Sequence, residues 1–215
     1  MLESLKGRII GVAGWKDAGK TTLVEHLVRV LIARGFRVGT IKHAYSDVDL
    51  QPEVKDSVKH LDAGAETVVV LGKSEVAVER SRAGDLETAA ARHLALCDVI
   101  IAEGFKHADI PKVAVFSGNG DVLKETENIV AVVHRGDKPE GYPGFEADDI
   151  KGLADYLLEA GILNPPAAGV TLVVSGRPVP INEFVQASLA GMITGFTGAL
   201  RDVETPSDIQ ITLKA

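Results

Sequence analysis

Up to residue 163, short β-branched and apolar runs alternate with stretches whose apolar positions recur three and four apart. That alternation is the signature of repeated strand–helix units around a mainly parallel sheet. Strands are predicted over residues 8–13, 36–42, 66–71, 76–80, 99–103, 112–116 and 129–134, and helices over 20–34, 54–63, 86–96 and 148–159. In the first helix Leu23, Leu27, Val30, Leu31 and Arg34 keep the 3.6-residue period, and Gly35 supplies the stop.

The pattern breaks at Asn164-Pro165-Pro166, which cannot continue the preceding helix and is followed by Ala167, Ala168 and Gly169. Residues 1–163 therefore read as one α/β domain, 164–169 as a linker and 170–215 as a small α+β module. The module reads as a strand over 170–174, a turn through Ser175-Gly176, an extended 177–180, a helix over 182–200 and a last strand over 208–213. It has too little core of its own and is expected to pack on the main domain or on a second subunit. Gly191, Gly195 and Gly198 would permit close helix contact at a docking or dimer face, although tight packing on the local sheet is the default expectation.

Composition narrows the classes. The chain has 215 residues, 46% hydrophobic and 25% charged, enough for a substantial core. The opening MLESLKGRII lacks the pattern of a secretory leader, and the most apolar segment, 184–200, is shorter than the ~20 residues a membrane span needs. No membrane insertion is expected. Cys97 is the only cysteine, which leaves no internal disulfide and points to the cytoplasm as the default location. A formal net charge of -7 argues against a general nucleic-acid binder. A small anion is still admissible where backbone N–H groups converge.

Such convergence is what Gly14, Trp15, Lys16, Asp17, Ala18, Gly19, Lys20, Thr21 and Thr22 predict, since the spacing is that of a phosphate-binding loop between a strand and a helix. Its glycines let the backbone approach phosphates, Lys20 reaches the β and γ phosphates, and the Thr21 hydroxyl is placed for Mg²⁺. Lys16 is a loop residue with no catalytic role assigned. For a second metal-binding carboxylate, Glu103 at the C-terminal end of its strand is preferred to Asp98, which opens the strand about five residues earlier. Lys42 and His43 are positioned for phosphates, and Asp47 and Asp49 for Mg²⁺ or a water.

Four blocks, "GWKDAGKTTL", "TIKHAYSDVD" with "KDSVKHLDAGA", "DVIIAEGFKHADIPKV" and "IVAVV", resemble the molybdopterin-guanine dinucleotide biosynthesis adaptor family, MobB, over residues 9–158. The chain departs from the family pattern at Ala18, at KHAYSD where a histidine-rich segment is usual, and at Glu53-Val54 in place of Pro-Gly. The stretch "VSGRPVPINEFVQ" resembles a C-terminal module of some members. The resemblance implies a P-loop NTPase fold of the α/β class that binds GTP with Mg²⁺ and hydrolyses it weakly. It also implies work beside a molybdopterin guanylyltransferase, molybdopterin itself as a candidate ligand, and a homodimer. For guanine, Asp137 sits where the base-reading carboxylate of G proteins lies, after the strand at 129–134, with Arg135 beside it and His134 in place of Asn. Two other readings remain. A small-molecule kinase would need a lid, for which only Arg80 and Arg82 offer arginines. A nickel metallochaperone GTPase would need a Cys/His cluster.

Overall fold

The computed structural model describes residues 5–43, 63, 67–68, 80–81, 86–118, 121–165, 170, 172–174, 177–200, 209 and 211. Along the chain run β1 (Ile9–Ala13), α1 (Lys20–Ala33), β2 (Val38–Lys42), β3 (Thr67–Val68), β4 (Arg80–Ser81), α2 (Leu86–His93) and β5 (Val99–Glu103). There follow β6 (Lys112–Phe116), α3 (Asp121–Glu125), β7 (Ile129–His134), β8 (Gly144–Glu146), α4 (Ile150–Glu159), β9 (Leu172–Val174), β10 (Arg177–Val179) and α5 (Glu183–Gly198).

Alternation within the strands decides the layering. Ile10 and Val12 of β1 join Val99 and Ile101 of β5 on one face, under Leu23, Leu27 and Leu31 of α1 and Leu153 and Leu157 of α4. Ile9, Ile100 and Ala102 turn to the other face and meet Leu86 and Ala90 of α2. A strand buried on both faces must be apolar at successive positions, which is why β1 and β5 read as unbroken apolar runs. Each of the leucines closed off from water contributes roughly 1.5–3 kcal/mol relative to exposure.

Six strands form the main sheet in the order β2-β5-β1-β6-β7-β8, and every neighbouring pair is parallel. Their C-terminal ends therefore share one edge. The register sets Lys42 beside Glu103, Glu103 beside Val12, and Phe116 beside His134, which in turn faces Glu146. The winding reverses about β1, so a crevice opens beyond its end.

Several predicted elements change. β3 and β4 pair antiparallel with each other, apart from the main sheet. The rest of those two predicted strands, the helix over 54–63 except residue 63, which is a turn, and nearly all of the last strand over 208–213 lie outside the described residues. The helix predicted over 86–96 ends at His93. The one predicted from 148 starts at Ile150, because the Asp149 carboxylate caps it by accepting from the Gly152 N–H at 3.0 Å. β8 was not predicted; three residues after Pro143 are too short to display a period.

Leu163 is buried in the main core, and the Asn164 N–H donates to the Gly7 carbonyl at 2.7 Å. Beyond them β9 and β10 make an antiparallel hairpin, with β10 against α2. Asn182 caps α5 through the Val185 N–H at 2.9 Å. Among the described residues the expected tight packing of Gly191, Gly195 and Gly198 on the local sheet is not found: none comes within 4 Å of where a Cβ at these positions would stand, and none buries a residue of α5. Among the described residues no helix is long and apolar enough to cross a membrane.

Candidate functional site

β1 ends at Ala13 and the chain turns back over its own end to start α1. At Gly14 a Cβ would stand 3.2 Å from both the Cβ and the carbonyl of Val115 and 3.3 Å from Lys20 Cγ, so the turn has no room for a side chain. Gly19 occupies the N-cap of α1 at φ 95, where glycine carries no Cβ penalty and offers no side-chain cap. The first N–H groups of α1 are left to an outside acceptor, and the helix dipole favours an anionic one.

Lys20 projects from the first turn of α1, and its Nζ donates to the Trp15 carbonyl at 2.6 Å. Burial lowers its pKa, with Lys42 and Lys106 acting in the same direction, and the attraction of Glu103 does not offset them. An oxyanion placed there would relieve that penalty. Thr21 follows, and its hydroxyl donates to Glu103 Oε1 at 3.1 Å. The same oxygen takes Lys42 Nζ at 2.9 Å, as the β2–β5 register requires. Glu103 is only 9% exposed, so its charge is held by partners from α1 and β2 rather than by water.

The residues assigned from sequence are partly brought together. Lys20, Thr21, Glu103 and Lys42 converge. Lys16 and Asp17 are exposed on the loop, Asp17 at φ 60. His43 extends the β2–β5 pairing through its N–H to the Glu103 carbonyl at 3.0 Å, and its ring meets Phe105 edge-on at 5.2 Å. Asp47 and Asp49 lie outside the described residues. Asp98 accepts from the Arg37 backbone N–H at 2.7 Å and its guanidinium at 3.2 Å, at the opposite end of β5 from the site. Burial works against its carboxylate, yet the Arg37 bonds outweigh it and hold the pKa below the ordinary value.

On the other side of the loop a cleft opens between Ala18, Gly19, Thr22 and His26 and the strand ends at Ser117, His134 and Arg135. His134 is 6% exposed, and its Nδ1 lies 2.8 Å from the Gly136 carbonyl, which can only accept; Nδ1 therefore carries the proton. Asp137 is exposed on the same turn and is not part of the cleft wall, whereas Arg135 is.

Three residues had no role assigned from sequence. Lys106 places its Nζ 4.1 Å from the centroid of the Trp15 ring. Ser117 lines the cleft. Lys112 is fully buried, and its ammonium donates to the carbonyls of Ala108, Ile110 (3.1 Å) and Glu127 (2.9 Å), tying the segment after β5 to the start of β6. A lysine opening an otherwise apolar strand run was the available signal. Among the described residues no group of three or more His, Cys, Asp or Glu side chains is gathered to hold a metal ion.

The sequence family described as "Molybdopterin guanine dinucleotide synthesis protein B" matches residues 9–135. The Escherichia coli molybdopterin-guanine dinucleotide biosynthesis adapter protein is 32% identical over 160 residues, which span 70% of this chain and 91% of that one. A Methanocaldococcus jannaschii relative, provisionally described as such an adapter, is 26% identical over 240 residues and covers 96% of this chain and 97% of its own. The crystal structure of Bacillus subtilis MobB superposes with a TM-score of 0.57 at 28% identity, over 71% of this chain and 96% of that one.

Proposed function

The chain belongs to the family of molybdopterin guanine dinucleotide synthesis protein B, and from that premise we propose that it binds GTP with Mg²⁺ at the loop following β1 and hydrolyses it weakly. Its role lies in molybdenum cofactor biosynthesis, as an adapter in forming the guanine dinucleotide of molybdopterin. The observation that carries the GTP reading is the meeting of Lys20, Thr21 and Glu103 at one sheet edge, below helix N–H groups that lack a side-chain cap.

The division of labour follows from these positions. Lys20, whose ammonium donates to the Trp15 carbonyl, exchanges that acceptor for a phosphate oxygen. The Thr21 hydroxyl and the Glu103 carboxylate, 3.1 Å apart, are hard oxygen donors of the kind Mg²⁺ takes, and the two fit such an ion together with phosphate oxygens and water. When bound, Mg²⁺ neutralises charge on the phosphates. The base is assigned to the cleft between α1 and the turn after β7, along Arg135 of its wall, and Asp137, exposed on that turn outside the wall, would have to turn toward the cleft to accept from the two guanine N–H donors. The Arg135 side of the cleft wall supports this placement.

The partner and the dimer enter the reading from the family resemblance: a molybdopterin guanylyltransferase, with molybdopterin close by, a homodimer, and the cytoplasm as the place of work. The direct test mixes the full chain with purified guanylyltransferase, with and without GTP and Mg²⁺, by analytical ultracentrifugation. Formation of a complex supports the adapter reading; separate sedimentation under both conditions contradicts it.

A further inference from the structure

Along α5 the row Phe184, Ser188, Met192 and Phe196 repeats every four residues, and its large members stand out from the chain. Phe184 is 79% exposed, Met192 64% and Phe196 68%. Beside that row runs another, Ala187, Gly191 and Gly195, each three residues from a member of the first and so its neighbour on the helix surface. These three are exposed as well, and among the described residues none comes within 4 Å of where a Cβ at Gly191 or Gly195 would stand. The open side of α5 is therefore a ridge next to a groove. Val185, Leu189 and Ile193, on the far side of the ridge, are half-buried, so the helix already has one side partly covered by its own chain.

A ridge and a groove of equal pitch on one helix fit a second copy of that helix, because the ridge of each can enter the groove of the other where two four-residue rows interdigitate. About a two-fold axis the same surface then serves both copies. Charge favours the same occupant. Copies of a chain with a formal net charge of -7 repel one another, and α5 carries no charge except Glu183 at its start, so the repulsion is least where these faces meet. A lipid surface would call for Lys or Arg along the polar side of the helix, and α5 has neither. At roughly 200 Å² for each large side chain, closing off Phe184, Met192 and Phe196 in both copies removes on the order of 800 Å² from water, and the groove residues carry the total toward the ~1,200 Å² of a specific interface.

We propose that two copies of this chain associate through α5, the ridge from Phe184 to Phe196 of each seated in the groove from Ala187 to Gly195 of the other. This rests on the homodimer in the reading above and goes beyond it, because α5 lies outside the stretch that matches the family. The glycines are then the floor of a contact between copies, which is why no side chain of their own chain fills the space beside them.

Sedimentation equilibrium of the full chain should show a reversible dimer. A chain carrying Phe184→Glu and Met192→Glu, both at exposed positions, should keep its circular dichroism spectrum and dissociate at least tenfold more readily. Gly191→Leu with Gly195→Leu is the sharper variant, because it adds apolar surface while filling the groove. It should also weaken the dimer at least tenfold, whereas a merely adhesive face would associate more tightly. A wild-type dimer that is indifferent to the glutamates, or is strengthened by the leucines, overturns the proposal and leaves the homodimer to another surface. A wild-type chain that stays monomeric at every concentration overturns both. Should the glutamate variant fail to fold, the leucine variant decides, since the space it fills lies outside the fold of one copy.

Discussion

The Thr21 hydroxyl donates to Glu103 Oε1 across 3.1 Å, joining two residues that lie 82 positions apart in the chain. The parallel pairing of β1 with β5 brings them together, since it sets the end of one strand beside the end of the other. Lys42 reaches the same oxygen from β2.

Glu103→Gln should separate metal-dependent from metal-independent binding. The amide oxygen can still accept from Thr21, so the loop keeps its shape, but the charge is gone. Mg²⁺-dependent GTP hydrolysis should fall by more than GDP affinity measured in EDTA. Equal losses in the two assays would make Glu103 a structural carboxylate.

At the far end of β5, Asp98 and Arg37 give a pH dependence. The folded carboxylate has a lowered pKa, so its contribution is fully present above the ordinary value of 3.8 and is lost as pH falls through the lowered one. Asp98→Asn should cost about 1 kcal/mol at pH 7 and nothing at the acid end, where the wild-type group is also uncharged. Urea melts at pH 7 and in the acid range check this; a constant difference would point to packing in place of charge.

Lys112 is buried among three carbonyls. Lys112→Met fills a similar volume but leaves those carbonyls without their donor, and should destabilise the fold by about 2–4 kcal/mol. Chemical denaturation measures it. A loss below about 1 kcal/mol would mean that the segment between β5 and β6 finds other partners.

The sequence pattern carried the sheet well where strands are buried on both faces. β1, β5, β6 and β7 are apolar runs bounded by turn residues, and they form where their period places them. The glycine spacing of the loop after β1 was equally legible, because Gly19 takes φ 95 and a Cβ at Gly14 would press on Val115 and Lys20. What sequence could not convey is which distant groups meet. The Lys106 stack on Trp15 and the carbonyl cage around Lys112 depend on how the segment after β5 folds back over the sheet edge. β8 escaped because its three residues gain their strand conformation from pairing with β7. The glycines of α5 read as packing sites, and among the described residues nothing packs on them.

Nucleotide binding at the loop after β1 runs through Lys20. Calorimetric titration of the full chain with GTP in Mg²⁺ should give a single site. Lys20→Ala should reduce its affinity by about 3 kcal/mol, roughly a hundredfold or more, for a lost charge-assisted contact. The thermal midpoint of the ligand-free protein should stay within a few degrees of wild type, because alanine suits the first turn of α1 and the lost Lys20 bond goes to a loop carbonyl. A folded Lys20→Ala chain that binds GTP as the wild type does would remove the phosphate site, and with it the nucleotide reading.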